Sequence, residues 1–137
     1  MKALIDTNII LDVLCDRREF VKDSEKVFKL CEVKKIDGYI SALSVPNIVY
    51  IMRKELDFKK IKNVIESLSL IFTITDLKAD DINKAALMDF GDYEDAIQSA
   101  CAERMQMDCI VTRNVKDFAN SRIPAVTPAE FTGKSDF

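Results

Sequence analysis

Short apolar runs alternate along this chain with longer segments in which apolar residues recur at helical spacing. The runs at residues 2–5, 38–41 and 109–112 are each four residues long, which is typical of buried strands. The segments between them place apolar side chains three and four residues apart, which is typical of helices that cover a sheet. Strands that alternate with helices predict an α/β fold, a three-layer α/β/α sandwich with a mostly parallel central sheet.

The same pattern predicts the order of the elements. Strands are predicted at the three runs above and over residues 70–74 and 125–127. Helices are predicted over residues 9–14, 20–36, 44–52, 61–68, 80–88 and 92–105, and from Pro128 onward. Thr7 or Asn8 is the expected N-cap of the first helix, and Pro46 suits the first turn of the third. A chain of 137 residues without a linker or a repeat predicts one domain, residues 1–131, and a frayed tail, residues 132–137.

The composition excludes several classes of enzyme. The chain contains no histidine, which rules out hydrolases with a histidine base and most zinc sites. With three glycines and neither G-x-x-x-x-G-K-[ST] nor G-x-G-x-x-G, a loop that cradles phosphate is not expected. The formal net charge of −3 by itself argues against a nucleic-acid binder, although a metal ion and a local basic patch can still face phosphates. Any chemistry therefore depends on carboxylate, amide, hydroxyl or lysine groups.

The cysteines and the apolar segments predict a cytoplasmic protein. The four cysteines show no C-x-x-C spacing, which favours reduced and mostly buried thiols over a disulfide framework. Asp6 interrupts the first apolar run, so a signal peptide is not expected. No apolar run approaches the length that spans a bilayer, so no membrane partner is expected.

Three acid-bearing segments follow strands or open helices of the predicted fold. They comprise Asp6 after the first strand, Asp92 and Asp95 at a helix start, and Asn114 and Asp117 after the strand that ends at residue 112. Each segment also has a purely structural explanation. An aspartate after a strand often caps the next helix, acids in a first helical turn complement the helix dipole, and an asparagine or aspartate in a loop commonly forms a turn.

Taken together, the three segments predict a metal site. Carboxylates that meet at one sheet edge raise each other's pKa, and a divalent cation relieves that repulsion. Oxygen ligands without histidine or thiolate favour Mg²⁺ or Mn²⁺ over zinc. Such ions support phosphodiester hydrolysis, because the metal polarises a phosphoryl oxygen and lowers the pKa of a bound water. No side-chain nucleophile is then required.

The same segments resemble those of PIN-domain ribonucleases, a family that includes the VapC-type toxins of bacterial toxin–antitoxin pairs. Residues 4–12, LIDTNIILD, resemble the opening of the family. Residues 95–102, DAIQSACA, resemble the segment around its third acid, and residues 110–118, IVTRNVKDF, resemble its C-terminal signature. The likeness runs over residues 3–131. It implies a parallel sheet with the acids at its C-terminal edge, Mg²⁺- or Mn²⁺-dependent cleavage of RNA, a homodimer, and an antitoxin protein as partner.

The resemblance also assigns the metal-binding acids. Asp6 corresponds to the first acid of the family and Asp95 to the third. The fourth corresponds to Asp117 or to the position of Asn114. Asp92 is an additional carboxylate that is available to hold a second metal or its waters.

Other polar residues of these segments are expected to support the site. The resemblance implies that Asn8 and Thr112 are supporting polar contacts. Arg113, in the loop beside the acids, either meets substrate phosphates or pairs with a neighbouring acid.

Asn47 departs from the family pattern. Most members carry a glutamate on the helix after the second strand, in a stretch that resembles residues 41–48, SALSVPNI, and that position is Asn47 here. A neutral amide can still ligate a metal or orient a water, but the site loses one charge. The resemblance is therefore to a variant branch with asparagine at the second acid position.

Two other functions remain as alternatives. The amide at position 47 favours a PIN fold that cleaves weakly and is kept as a binding module. A receiver-like signalling domain shares the α/β architecture and an acidic Mg²⁺ pocket. It requires paired acids after the first strand and a lysine after a late strand, and Asp6-Thr7-Asn8 and Thr112-Arg113 supply neither.

Overall fold

A computed structural model of the chain describes residues 1–133, and strands alternate with helices along it. The strands are β1 (Lys2–Ile5), β2 (Asp37–Ser41), β3 (Thr73–Thr75), β4 (Cys109–Val111) and β5 (Ala125–Val126). The helices are α1 (Thr7–Leu14), α2 (Val21–Glu32), α3 (Ser44–Met52), α4 (Phe58–Ile71), α5 (Ala79–Ala85), α6 (Tyr93–Arg104) and α7 (Pro128–Thr132), and a 3₁₀ turn spans Val115–Phe118. Within residues 1–133, no helix is both long enough and apolar enough to cross a membrane.

The five strands form one sheet in the order β3-β2-β1-β4-β5, and every pair of neighbours is parallel. This confirms the predicted α/β fold with its parallel sheet. The chain moves outward from β1 through β2 and β3, and then returns to the opposite side of β1 as β4. The strand order therefore reverses between β1 and β4. Ligands of open α/β sheets bind at such a switch point, at the carboxyl ends of the strands.

Helices cover both faces of the sheet because β1 is apolar on both sides. Ala3 and Ile5 pack into the larger core, together with the apolar faces of α1, α2, α3 and α4. Leu4 points to the other face, where it packs with Ile110 of β4 and with Phe118. All three β1 residues are fully buried. A strand buried on both faces reads as a continuous apolar run, which is why β1 was predictable from sequence.

The third strand begins later than the sequence predicts. The apolar run at residues 70–74 was expected to be a strand, but α4 continues through Ile71 and β3 begins at Thr73. Leu68 and Phe72 are both buried and stand four residues apart, so the helical period extends to the end of the run, while Leu70 is exposed. A short apolar run cannot be assigned to helix or strand by periodicity alone.

Several predicted helix ends also move. Asp6, rather than Thr7 or Asn8, is the N-cap of α1. The helix predicted to reach residue 36 ends at Glu32, because Lys34 adopts a left-handed backbone conformation with φ of 62°. The helix predicted over residues 80–88 is α5, which ends at Ala85.

The predicted tail begins inside the last helix. Thr132 belongs to α7, and its hydroxyl donates a hydrogen bond of 3.0 Å to the carbonyl of Pro128. The rest of the predicted tail, residues 134–137, lies outside the described residues.

The cysteines are thiols, as expected. Cys31, Cys101 and Cys109 are buried and Cys15 is half-buried. Burial raises the pKa of Cys31 to about 12, so this thiol stays protonated at neutral pH.

Asp12 of α1 links the loop after β4 to the helical layer. Its carboxylate is fully buried and accepts a hydrogen bond of 3.1 Å from the hydroxyl of Ser24. Arg113 Nε lies 3.0 Å from Asp12 Oδ2, and Arg17 Nη1 lies 3.4 Å from Asp12 Oδ1. The guanidinium of Arg113 also lies 3.8 Å from the centre of the Phe20 ring, a cation–π contact. The start of the loop that carries Asn114 is thereby tied to α1 and α2.

We expect Asp12→Asn to lower the free energy of unfolding by about 3 kcal/mol, because removing one partner of a buried ion pair leaves the other charges uncompensated. Urea unfolding followed by circular dichroism measures the change. Asp37→Asn, at the exposed first position of β2, is the matched control and should stay within about 0.5 kcal/mol of wild type. Equal effects at the two positions would contradict the structural role of Asp12.

Candidate metal centre

Asp6 stands directly after β1, at the switch point of the sheet. Its backbone N–H donates to the carbonyl of Val111 at 3.0 Å, which continues the β1–β4 ladder by one residue. Both carboxylate oxygens accept hydrogen bonds from side chains. Gln98 Nε2 donates to Oδ1 at 3.0 Å, and Thr112 Oγ1 donates to Oδ2 at 2.9 Å.

These contacts bear on the capping explanation of Asp6. Its backbone occupies the N-cap position of α1, yet its side chain makes no capping hydrogen bond to that helix. The residue is only 5% exposed, and no lysine or arginine of residues 1–133 forms an ion pair with it. The carboxylate of Asp6 is therefore hydrogen-bonded by two neutral donors and has no cationic partner among the described residues.

Asp92 and Asp95 open α6 on the same edge. Asp92 is the N-cap, and its Oδ1 accepts a hydrogen bond of 3.0 Å from the backbone N–H of Asp95. The pKa of Asp95 is raised to about 7, first by burial and then by the negative charges of Asp92, Asp6, Asp117 and Glu94. The predicted repulsion among these acids therefore acts on Asp95.

Asn114 and Asp117 reach the site from the loop after β4. The backbone N–H of Asn114 donates to the Thr112 hydroxyl at 3.1 Å, and the N–H of Asp117 donates to the Asn114 carbonyl at 2.9 Å. Both residues form a turn, as the structural explanation expected, and both side chains also line the cleft described next. Thr112 is fully buried and connects Asp6 to this loop.

The acids surround one cleft of about 310 Å³ at the carboxyl ends of β1 and β4. Five carboxylates line it: Asp6, Asp92, Glu94, Asp95 and Asp117. Asn8, Asn47, Gln98 and Asn114 add amide groups. Within the described part of the chain, no lysine or arginine lines this cleft. The cleft is therefore strongly anionic.

The side chain of Arg113, a predicted site residue, points away from the acidic cleft. Its ion pair with Asp12 and its contact with Phe20 direct the guanidinium toward α1 and α2, and it does not line the acidic cleft. The structure thus shows the ion-pair alternative, because a buried aspartate lies within its reach.

Gln98 and Glu94 also line the cleft but were not singled out from sequence. Gln98 stands three residues after Asp95, a spacing that places two side chains on one face of a helix and that gave a usable signal. Glu94 gave none, because its neighbour Asp95 already faces the cleft. Only the packing of the start of α6 against α3 brings Glu94 within 3.3 Å of Asn47 Nδ2.

The donor groups of the cleft fit a hard divalent cation. The acidic side chains of the cleft are all carboxylates, whose oxygen atoms are the donors that Mg²⁺ and Mn²⁺ prefer. Gln98 Oε1 is buried and has no hydrogen-bond partner among the described residues, so one more oxygen is available. No three acidic or cysteine side chains of residues 1–133 already converge into a complete ligand set. Binding of one cation by three of them would require side-chain movement, while the hydrogen bonds from Gln98 and Thr112 hold the Asp6 carboxylate in place.

The amino-acid sequence of this chain is similar to that of a known protein over most of both chains. It is 28% identical over 135 residues to a protein named Ribonuclease VapC1 from Aquifex aeolicus, which covers 95% of this chain and 92% of that protein.

Solved structures share the fold over nearly the whole chain. VapBC2 from Rickettsia felis, bound to a promoter DNA fragment, superposes with a TM-score of 0.71 at 15% identity, covering 93% of this chain and 98% of that one. A toxin–antitoxin complex from Klebsiella pneumoniae superposes with a TM-score of 0.67 at 25% identity, covering 92% and 97%.

The sequence also matches the profile of the PIN domain over residues 2–116. The matched stretch begins in β1 and ends in the loop after β4, one residue before Asp117, and it includes Asp6 and Asp95. Because the match takes in both strands of the switch point and the helix that carries Asp95, this chain belongs to the PIN domain family.

Proposed function

We propose that this protein is a divalent-metal-dependent endoribonuclease, with Mg²⁺ or Mn²⁺ as its cofactor, and that it is the toxin of a toxin–antitoxin pair. One observation carries the proposal: five carboxylates line a cleft at the switch point of the sheet, and no lysine or arginine of the described residues neutralises them there. An RNA phosphate is anionic and would be repelled by this cleft alone. A bound divalent cation would attract both the carboxylates of the cleft and the phosphate of the RNA.

The relatives support this proposal. The A. aeolicus relative is named a ribonuclease, and the R. felis and K. pneumoniae structures are toxin–antitoxin complexes. We extend these descriptions to the present chain as expectations: RNA as substrate, an antitoxin protein that blocks the acidic edge, and a homodimer. RNA cleavage places the protein in the cytoplasm, where its buried thiols stay reduced.

The side chains of the cleft have different proposed roles in binding a cation. Asp6, Asp95 and Asp117 are the proposed ligands, and Asp92 is available to a second ion or to bound waters. When bound, the cation supplies a polarised phosphoryl oxygen and a water of lowered pKa. Gln98 and Thr112 fix the orientation of Asp6, so its carboxylate does not have to be ordered when the substrate arrives.

Proton transfer in this cleft depends on carboxylates, because the chain contains no histidine. Asp95 holds a proton up to about pH 7 in the metal-free protein, since burial and the neighbouring acids disfavour its charge. Asn8, Asn47 and Asn114 can orient waters or a phosphate by hydrogen bonds without adding charge.

Two alternatives are weighed against this function. Asn47 favours a PIN fold that cleaves weakly and is kept as a binding module, since its amide brings no charge to the cleft. A cleavage assay separates that case from the nuclease. The receiver-like alternative is wrong: the strand order is β3-β2-β1-β4-β5, whereas the receiver-type order is 2-1-3-4-5, and the chain belongs to the PIN family.

We expect Asp6→Asn and Asp95→Asn each to reduce Mn²⁺-dependent cleavage of labelled RNA by about a hundredfold or more. Groups that only support metal ligands already cost about 10–100-fold when removed. Circular dichroism should show an intact fold in both variants. Asp37→Asn, exposed at the start of β2 and thus at the opposite end of the sheet, is the control and should cleave normally. Near wild-type cleavage by either cleft variant would show that the site is misplaced.

We also expect Mn²⁺ to stabilise the protein, because an ion that binds only the folded state shifts the unfolding equilibrium. The gain is about 2.7 kcal/mol once free Mn²⁺ reaches about a hundred times its Kd. Differential scanning calorimetry with Mn²⁺ and with EDTA measures it as a rise in Tm. Asp6→Asn should show a smaller rise. If millimolar Mn²⁺ leaves the Tm of the wild type unchanged, the cleft does not bind the metal.

A third expectation concerns the metal-free protein. The pKa of Asp95 is about 7 in the folded state and near 3.8 when unfolded, so between these values the folded protein binds a proton that the unfolded chain has lost. The contribution of Asp95 to stability therefore falls as the pH rises from about 4 to 7. In EDTA, Asp95→Asn should unfold at a higher Tm than wild type at pH 8, and the difference should shrink toward pH 4. A difference independent of pH would contradict the raised pKa, and Asp37→Asn again serves as control.

A further inference from the structure

Glu94 faces the acidic cleft from the first turn of α6, next to the side chain that departs from the family pattern. Asn47 Nδ2 lies 3.3 Å from Glu94 Oε2, and both residues line the cleft. The contact joins α3 to α6 across 47 positions of sequence. It sets a donor against a carboxylate, and the reverse orientation of the amide would oppose two oxygens. Asn47 therefore acts as the donor that positions Glu94.

The charges around this contact explain what the pair accomplishes. Asn47 contributes no charge to the cleft, so a carboxylate at position 47 is missing. Glu94 is exposed, and no lysine or arginine of the described residues forms an ion pair with it. An unpaired carboxylate at the mouth of a cleft that already holds four others adds repulsion, and a bound cation offsets that cost.

A second, independent observation indicates that a ligand enters here. Gln98 is 4% exposed, its Nε2 is used by Asp6, and its Oε1 has no hydrogen-bond partner within residues 1–133 although it borders the cleft. A buried carbonyl oxygen without a donor is costly. A cation or one of its bound waters would satisfy that oxygen. The unpartnered carbonyl oxygen of Gln98 therefore favours an electropositive ligand in the cleft, in addition to the carboxylates.

We infer that Glu94 supplies the carboxylate that position 47 lacks, and that Asn47 holds it at the metal site. Compared with the family pattern, this carboxylate is on α6 instead of α3, and the number of carboxylates available to the ion is the same. The inference rests on the proposed metal-dependent function. A glutamate in a first helical turn also complements the helix dipole, so the alternative is that Glu94 only stabilises α6.

Four proteins test the exchange: wild type, Glu94→Gln, Asn47→Glu, and the double variant with both substitutions. Isothermal titration of each with Mn²⁺, in the absence of RNA, gives the Kd directly. We expect Glu94→Gln to weaken Mn²⁺ binding by about tenfold or more, the effect of losing a group at a metal site. The double variant should recover to near the wild-type Kd, because its carboxylate is again present, now on α3. Asn47→Glu alone should lower the metal-free Tm, since it opposes two carboxylates.

A matched control removes the effect of net charge. Glu66→Gln makes the same change at an exposed position of α4 and should leave the Kd unchanged. Unchanged Mn²⁺ affinity in Glu94→Gln would overturn the inference in favour of the dipole role. A double variant as weak as Glu94→Gln would overturn the exchange between the two positions.

The outcomes also separate this inference from the proposed function. If Asp6→Asn abolishes Mn²⁺ binding while Glu94→Gln leaves it intact, the metal site stands and only the role of Glu94 fails. If the wild-type protein binds no Mn²⁺, both fail together.

Discussion

The carboxylate of Asp6 accepts one hydrogen bond from Gln98 and one from Thr112, and the rest of the site is arranged around that pair of contacts. Thr112 directly follows β4, and Gln98 stands in the second turn of α6, so the buried side chain of Asp6 connects β1, β4 and α6. The hydrogen bond from Gln98 holds the N-terminal part of α6 next to Asp6, and this part of the helix carries Asp92, Glu94 and Asp95. The contact with Thr112 does the same for Asn114, whose backbone binds the same hydroxyl. A shift of any of these elements would break a buried hydrogen bond to a charged group, which is costly.

The distribution of charge completes the arrangement. The cations that lie near the buried acids are paired away from the cleft: Arg17 and Arg113 with Asp12, and Arg104 with Asp76 and Asp81. As a result, none of these arginines forms an ion pair with a carboxylate of the cleft. Under the proposed function this arrangement reconciles a net charge of −3 with an RNA substrate, since a bound cation would attract phosphate in place of basic side chains.

The sequence alone determined the fold class and the edge of the sheet where the acids lie. Each of these properties is local. The runs that became β1 and β4 are apolar because the sheet is buried on both faces, and the helical period of the intervening segments is independent of their neighbours. Acids that directly follow parallel strands must gather at one edge, so Asp6 and the Asn114–Asp117 loop could be placed together without coordinates. The third strand was misplaced because an apolar run of that length fits either period.

Only the tertiary structure decided which groups each side chain meets. Arg113 and Asp12 are 101 positions apart in sequence, and nothing near either residue indicates that a buried ion pair will draw the arginine away from the cleft. Gln98 reaches Asp6 across 92 positions, and Glu94 reaches Asn47 across 47. Spacing rules describe neighbours on one helix or strand, whereas these contacts depend on how helices pack on the sheet. The packing follows from burying many apolar side chains at once, so the partner of a single polar residue is settled only when the whole chain has folded.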